Sequence, residues 1–307
     1  MKKTKKNNRL TDKKRTAVAA YLFISPFFIL FAIFGLFPML FSFYLSFFRW
    51  DGLDPMTFNG LNNFRFIFSD PIFYSSIKNT FLIGLLGTLP QILVSMVIAF
   101  ALNSTLIRFR NVFRTLIFLP YITSIVAVAI IFGLVFNNQP FGFANYILSL
   151  FDVGPIRWGA EYWPVKFAIA TMVFWRWVGY NTIIFLAGMQ SIPRELYEAA
   201  KIDGATIMQQ LRLITLPMLK PIVMFVVFTA TIGSLQLFTE PLIFLGRGFR
   251  EEGITVVAYL WRDAFVYNTF GTASAAAIVL FVIIISLTAL NLGISSLIGR
   301  TKKSKVS

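Results

Sequence analysis

Between Gln190 and Pro221 the chain sets Glu198, Ala199, Ala200, Asp203 and Gly204 at a spacing that suits gripping another protein rather than catalysing a reaction. Ser191 is placed to cap a helix whose first turn holds Pro193, and Glu195 favours the positive end of that helix. Good helix formers continue to Lys201, and Gly204 supplies the left-handed residue at which such a helix stops cheaply. A second helix, about residues 205–216, is expected to end before Pro217. Leu196, Ala199 or Ala200, and Asp203 share one face, while Glu198 and Lys201 point elsewhere. Small side chains at the elbow permit close approach of a partner, and Glu198 offers it a charge. The plainer alternative is an amphipathic connector, which requires neither the alanine pair nor the glycine.

A second set of residues lies within apolar segments. Phe174, Trp177 and Asn181 share a helical stripe bordered by Tyr180. Gly233, Ser234 and Leu237 share another that could form a facing wall, with Gln236 and Glu240 on a different face. Ring faces stack on C–H surfaces while amide and phenol groups bond hydroxyls, so these stripes suit a weakly held polar solute. Interfacial Trp and ordinary bundle packing are the alternative. Arg176 falls near mid-segment, where a charge costs at least ~2.5 kcal/mol. It should face the bundle, a cavity or a partner; Glu240 is the acid on offer, although nearer the outer end.

The elements that position these residues follow from composition. Of 307 residues, 57% are hydrophobic and only 13% charged, with a mean hydropathy of +0.73. Soluble domains carry about a quarter charged residues, so the composition excludes disorder and argues against a water-soluble globule. Cys and His are absent, which removes disulfides, Cys/His zinc sites, His-ligated haem and a Ser-His-Asp hydrolase. Six apolar runs are long enough to span a bilayer, at residues 17–48, 79–102, 112–136, 165–188, 221–245 and 272–299. The first is expected to bend near Pro26 and Pro38, and the fifth is interrupted by Gly233 and Gln236. The first run is too long for a secretory signal, whose apolar region covers ~7–15 residues. Nineteen of the 28 Lys and Arg residues fall in the two tails, the turn around residues 103–114 and the 189–220 loop. Positive-inside bias therefore makes both termini cytoplasmic. The net charge of +15 is read as topogenic, not as a nucleic-acid surface.

The loop also carries a family resemblance. Glu198-Ala199-Ala200, then Gly204, then Ile214-x-Leu216-Pro217 resembles the EAA loop (190–217) of permease subunits in binding-protein-dependent ATP-binding cassette importers. The longer stretch from Pro193 to Ala205 looks like the carbohydrate-uptake branch, of maltose, multiple-sugar and lactose type. Ser25-Pro26, Gly60-Leu61-Asn62-Asn63-Phe64, Asn79-Thr80 and Trp175-x-Trp177-x-Gly179-Tyr180 are similar to its first permease. The large extracellular insertion of the maltose-type member is missing.

The resemblance implies an all-α polytopic membrane protein: six transmembrane helices forming a type I importer transmembrane domain. It divides the chain into a basic tail (1–16), a first helix with its extracellular loop (17–74), a core of five helices (75–291) and a terminal basic tail (292–307). Glu198 would pair with a basic residue of a cytoplasmic ATPase. Ala199, Ala200 and Asp203 would lie in the contact, with Gly204 at its turn. Trp177 and Tyr180 would line the solute path. The implied partners are a second permease forming a heterodimer, two copies of the ATP-binding subunit, an extracellular solute-binding protein and membrane lipid. No Gly-x-x-x-x-Gly-Lys-Ser/Thr loop occurs, so ATP is expected to be used by a partner subunit, with no cofactor on this chain. The expected cargo is a mono- to oligosaccharide. A polyol, glycerol phosphate or amino acid keeps the same machine, and an ion-coupled secondary carrier is the rival from another class.

Overall fold

The computed structural model describes the backbone over residues 4–103, 108–246 and 250–303 and the side chains over 14–103, 108–246 and 250–293. Helix α1 (Thr4–Phe31) passes through a π turn (Ala32–Leu36) into α2 (Phe37–Leu45). Pro26 stays inside α1, whereas the π turn lies just ahead of Pro38, where the ladder must do without one N–H. A two-residue antiparallel ladder follows, β1 (Phe48–Arg49) on β2 (Thr57–Phe58), with Phe48 opposite Phe58. Next come α3 (Asn62–Ser69), the long α4 (Pro71–Asn103), α5 (Arg110–Ile122), α6 (Ile125–Val135), α7 (Phe143–Ser149) and α8 (Tyr162–Gln190). The remainder is α9 (Arg194–Ile202), α10 (Ile207–Gln210), a π turn (Leu211–Thr215), α11 (Leu216–Leu235), α12 (Thr239–Leu245), α13 (Val256–Phe265) and α14 (Phe270–Lys303).

Two expected spans are corrected. The run at 112–136 is not one rod: α5 and α6 meet at 91°. Pro120 weakens the last turn of α5, and Thr123 and Ser124 are non-helical. The pair still makes one crossing, because Ile117 backs onto Gly179 in mid-bundle while Phe136 packs on Trp158 at the far end. With the pair counted once, six crossings result. The fifth span breaks as its composition foretold: α11 stops at Gln236, and α12 resumes at Thr239. Its other end departs from expectation, for Pro217 does not terminate a connector. It follows the π turn at Leu211–Thr215 within one continuous helix, and the ladder there does without one N–H, so the loop runs directly into the span.

Three apolar clusters follow one another along the bundle. Ile92, Ala99, Phe185, Met189 and Leu219 pack at the end that holds α9. Ile83, Val165, Ile169, Met172 and Leu237 form the middle cluster. Phe73, Ile254, Tyr259, Ala275 and Ala276 close the opposite end, where the small residues of α14 admit neighbours closely. Charge bias makes the α9 end cytoplasmic, so α4, α8 and α14 begin at the outer end. The first span, by contrast, has no buried residue in its most apolar window. Its exposed Phe and Leu side chains suit lipid, which needs no hiding of apolar surface.

Candidate functional site

A cavity of about 220 Å³ opens between α4, α5, α8 and α11. Trp177, Tyr180 and Asn181 of α8 line it, as do Gly233 and Ser234 of α11 and the adjoining Leu237. The two stripes therefore face each other. Phe174 is not in the lining; Val173 takes that place. On a helix turning about 100° per residue, residues 173, 177, 180 and 181 centre on one direction, and 174 lies roughly 75° away from it. Of the four residues expected on this stripe, Phe174 alone falls outside the lining.

Thr88, Gln91, Tyr121, Thr229 and Ala230 complete the wall and were not foreseen. Gln91 and Thr88 are three residues apart on α4, and an intramembrane glutamine is itself a signal that could have found them. Tyr121 had no such signal, since only the α5–α6 turn brings it inward. Its ring stacks on Tyr180 with centroids 4.6 Å apart and meets Trp177 edge-on at 5.3 Å. Trp177 and Tyr180 are themselves edge-to-face at 5.6 Å. Gly179 permits this arrangement: a Cβ there would run into the backbone carbonyl of Ile117, so α5 can lie against α8 only at a glycine. Ser95 ties α4 to α8 by donating to the Val178 carbonyl at 2.8 Å. Arg176 does face the bundle, its guanidinium 5.9 Å from the Tyr121 ring and 5.8 Å from that of Trp177. Glu240 is buried within reach of its charge but forms no ion pair with it; among the described residues only Arg262 and Asp263 do so.

The cytoplasmic elbow is built by local rules. Helix α9 starts at Arg194 after Pro193, and Ser191 does not cap it. Ser191 instead closes α8, its hydroxyl donating to the Gly188 carbonyl at 2.8 Å, because Pro193 holds the backbone extended between the two helices. At the far end Gly204 has φ +76°. The Ala205 N–H donates to Ala200 and the Gly204 N–H to Lys201, which is a complete Schellman closure with Asp203 as the C-cap. Thr206 opens α10 with a capping box to Gln209. Tyr197 hydroxyl meets Thr215 hydroxyl at 2.9 Å and anchors α9 on the bundle. Glu198, Ala199, Asp203 and Gly204 are left exposed, and Ala200 is half-buried. Ile202, 87% exposed beside Asp203, adds an apolar side chain to the elbow.

A family model described as "Binding-protein-dependent transport system inner membrane component" matches residues 91–297. The chain belongs to this family of transport permeases. The permease is 36% identical over 293 residues to the arabinooligosaccharides transport system permease protein AraP of Halalkalibacterium halodurans, covering 94% of this chain and 92% of that one. It is 34% identical over 285 residues to the lactose transport system permease protein LacF of Rhizobium radiobacter, covering 92% and 95%. Among solved structures, it is similar to a chain of a bacterial alginate transporter in complex with an alginate pentasaccharide-bound periplasmic protein. That match has 25% identity, a TM-score of 0.81, and covers 94% of this chain and 98% of that one. The permease is thus a multi-pass membrane protein and a non-catalytic subunit, with ATP hydrolysis left to a separate chain.

Proposed function

We propose that this permease carries a mono- or oligosaccharide across the cytoplasmic membrane, received from an extracellular binding protein. One observation carries the cargo class: the cavity wall is aromatic and amide, with Tyr121, Trp177 and Tyr180 beside Gln91 and Asn181, and among the described residues no charged side chain lines it. Rings stack on the C–H faces of a sugar and amides bond its hydroxyls, whereas an amino acid or a phosphate ester calls for opposed charge. The sugar permeases among its relatives support the same choice. At about 220 Å³ the cavity is smaller than the about 300–1,000 Å³ of drug-sized ligand sites. A second permease, placed across it as a heterodimer, would enlarge it.

At the cytoplasmic end, the exposed elbow of Glu198, Ala199, Ala200, Asp203 and Gly204 is the proposed seat of an ATP-binding subunit, one of two in the assembly. Glu198 supplies the charge, Ala199 the close contact and Gly204 the fixed turn. Closure of the two ATPases would then bias the permeases between inward- and outward-facing states. The test is retention of labelled sugars by the cognate binding protein, with uptake in cells carrying E198K or G204D. Binding of mono- or oligosaccharide is expected, and loss of uptake and of ATPase co-purification from variants that still insert. A binding protein that retains amino acids and no sugar overturns the cargo. Full uptake by G204D at normal abundance overturns the docking role.

A further inference from the structure

Lys166 is fully buried in α8, without a carboxylate at ion-pairing distance among the described residues. Its ammonium donates to two backbone carbonyls, Tyr162 at 3.0 Å and Glu252 at 2.7 Å. The third side is covered by the Tyr162 ring, 3.3 Å from the ammonium to the centroid. Two carbonyls, a ring face and the nearby charge of Glu252 hold this cation out of water without an ion pair, which is costly and which packing alone does not call for. The Glu252 carbonyl belongs to a strap, residues 251–255, that other helices also hold. Asn79 of α4 donates to the carbonyls of Glu251 at 2.7 Å and Ile254 at 3.1 Å. Thr80 accepts from the Val256 N–H just beyond the strap at 3.0 Å. Thr255 then donates at 2.6 Å to the carbonyl of Leu237, a residue of the cavity wall.

The strap lies directly outward of the cavity. From Asn79 to Thr88 on α4 is about 13 Å, and from Lys166 to Val173 on α8 about 10 Å, at 1.5 Å per residue. Between the two levels lies the plug of Ile83, Ile169 and Met172, all fully buried. We propose that Lys166 and Asn79 are positioning residues for transport: they latch the 251–255 strap across α4 and α8, and through Thr255 and Leu237 they hold the cavity closed to the outside. Outward opening that draws the outer ends of these helices apart must release either the Glu252 carbonyl from Lys166 or those of Glu251 and Ile254 from Asn79. A lysine suits that task, because its charged donor regains water when the latch opens, while an apolar side chain would favour the closed state permanently.

The inference rests on the transport reading, but its test does not require transport. The chain has no cysteine, so S234C gives a single reporter on the cavity wall. In the assembled complex in whole cells, its labelling by a membrane-impermeant cationic methanethiosulfonate is timed with and without K166M or T255V. Losing one hydrogen bond shifts a two-state equilibrium by roughly 2- to 10-fold. Labelling about threefold faster or more is expected in each variant, with binding-protein-independent ATP hydrolysis raised in the purified complex. Unchanged labelling in variants present at normal abundance overturns the latch. Should K166M fail to accumulate, T255V decides alone; it keeps the shape and removes both the donor to Leu237 and the cap on the Ala258 N–H at the start of α13. Faster labelling in a complex that imports no sugar leaves the latch standing and removes the proposed function.

Discussion

Tyr121 and Tyr180 stack at 4.6 Å across a boundary between two helices, and Tyr121 sits one residue before the end of α5, where the chain turns by 91°. The turn therefore converts a residue of a lipid-spanning run into part of the cavity wall. It also makes that wall sensitive to a single ring.

Y121F keeps the stack and is expected to transport nearly as the unaltered permease does. Y121A removes the ring that Tyr180 and Trp177 both contact. Aromatic pairs contribute about 0.5–1.5 kcal/mol each beyond burial, so a rise in apparent KM of roughly 2- to 10-fold is expected. Initial-rate uptake over a range of sugar concentrations measures it. Equal KM values for Y121A and Y121F would show that the wall does not hold the solute.

G179A tests the contact behind the wall. A methyl group at 179 meets the Ile117 carbonyl, which belongs to a helix backbone and has no rotamer to give way. Overpacking costs about 1–3 kcal/mol, and α5 must move off α8 to relieve it. The expected result is a lower thermal midpoint of the detergent-purified complex and slower uptake together. G233A is the control, because a Cβ there meets nothing within 4 Å; its thermal midpoint should not change.

The parts of this architecture that sequence reveals are those governed by local chemistry. Gly204 announces the end of α9 because its backbone needs φ +76° and few other residues adopt it. Trp177, Tyr180 and Asn181 could be placed on one face because helical periodicity suffices for that. Three things are not legible. Ser191 looked like an N-cap, yet the choice between closing α8 and opening α9 depends on how Pro193 holds the chain between them. Phe174 and Val173 differ by one residue of helix rotation, which is fixed by what α4 and α5 press against α8, through Ser95 and Gly179. Tyr121 needed the turn between α5 and α6, a tertiary feature that Pro120 permits without requiring.

Gln91 gives a sharper test of the cavity's polarity. It is buried, with 2% exposure, and it borders the cavity near Asn181. Q91L keeps the volume and removes the amide, so an oligosaccharide hydroxyl that depended on it loses its partner. Loss of such a bond in a dry site costs about 1–3 kcal/mol, which corresponds to roughly 5- to 150-fold in kcat/KM for uptake. Membrane abundance should be unaffected, since leucine is at least as welcome in a spanning helix. Unaltered uptake by Q91L would remove Gln91 from the solute path.

At the outer end, Asp263 carries a pH dependence whose sign can be worked out. The residue is 3% exposed, with Arg262 at 3.4 Å from its carboxyl. Burial pushes its pKa above the ordinary 3.8, and Arg262 only partly opposes this. A carboxyl raised in the folded state binds its proton more tightly there than in the unfolded chain. Its contribution to stability is therefore full below about pH 4 and is lost as pH climbs through the raised value. D263N keeps the shape and cannot ionise. The thermal midpoint of the unaltered permease minus that of D263N should accordingly fall as pH rises from about 4 toward neutrality. A difference that grows with pH would mean that the ionised carboxylate, through Arg262, is the stabilising form.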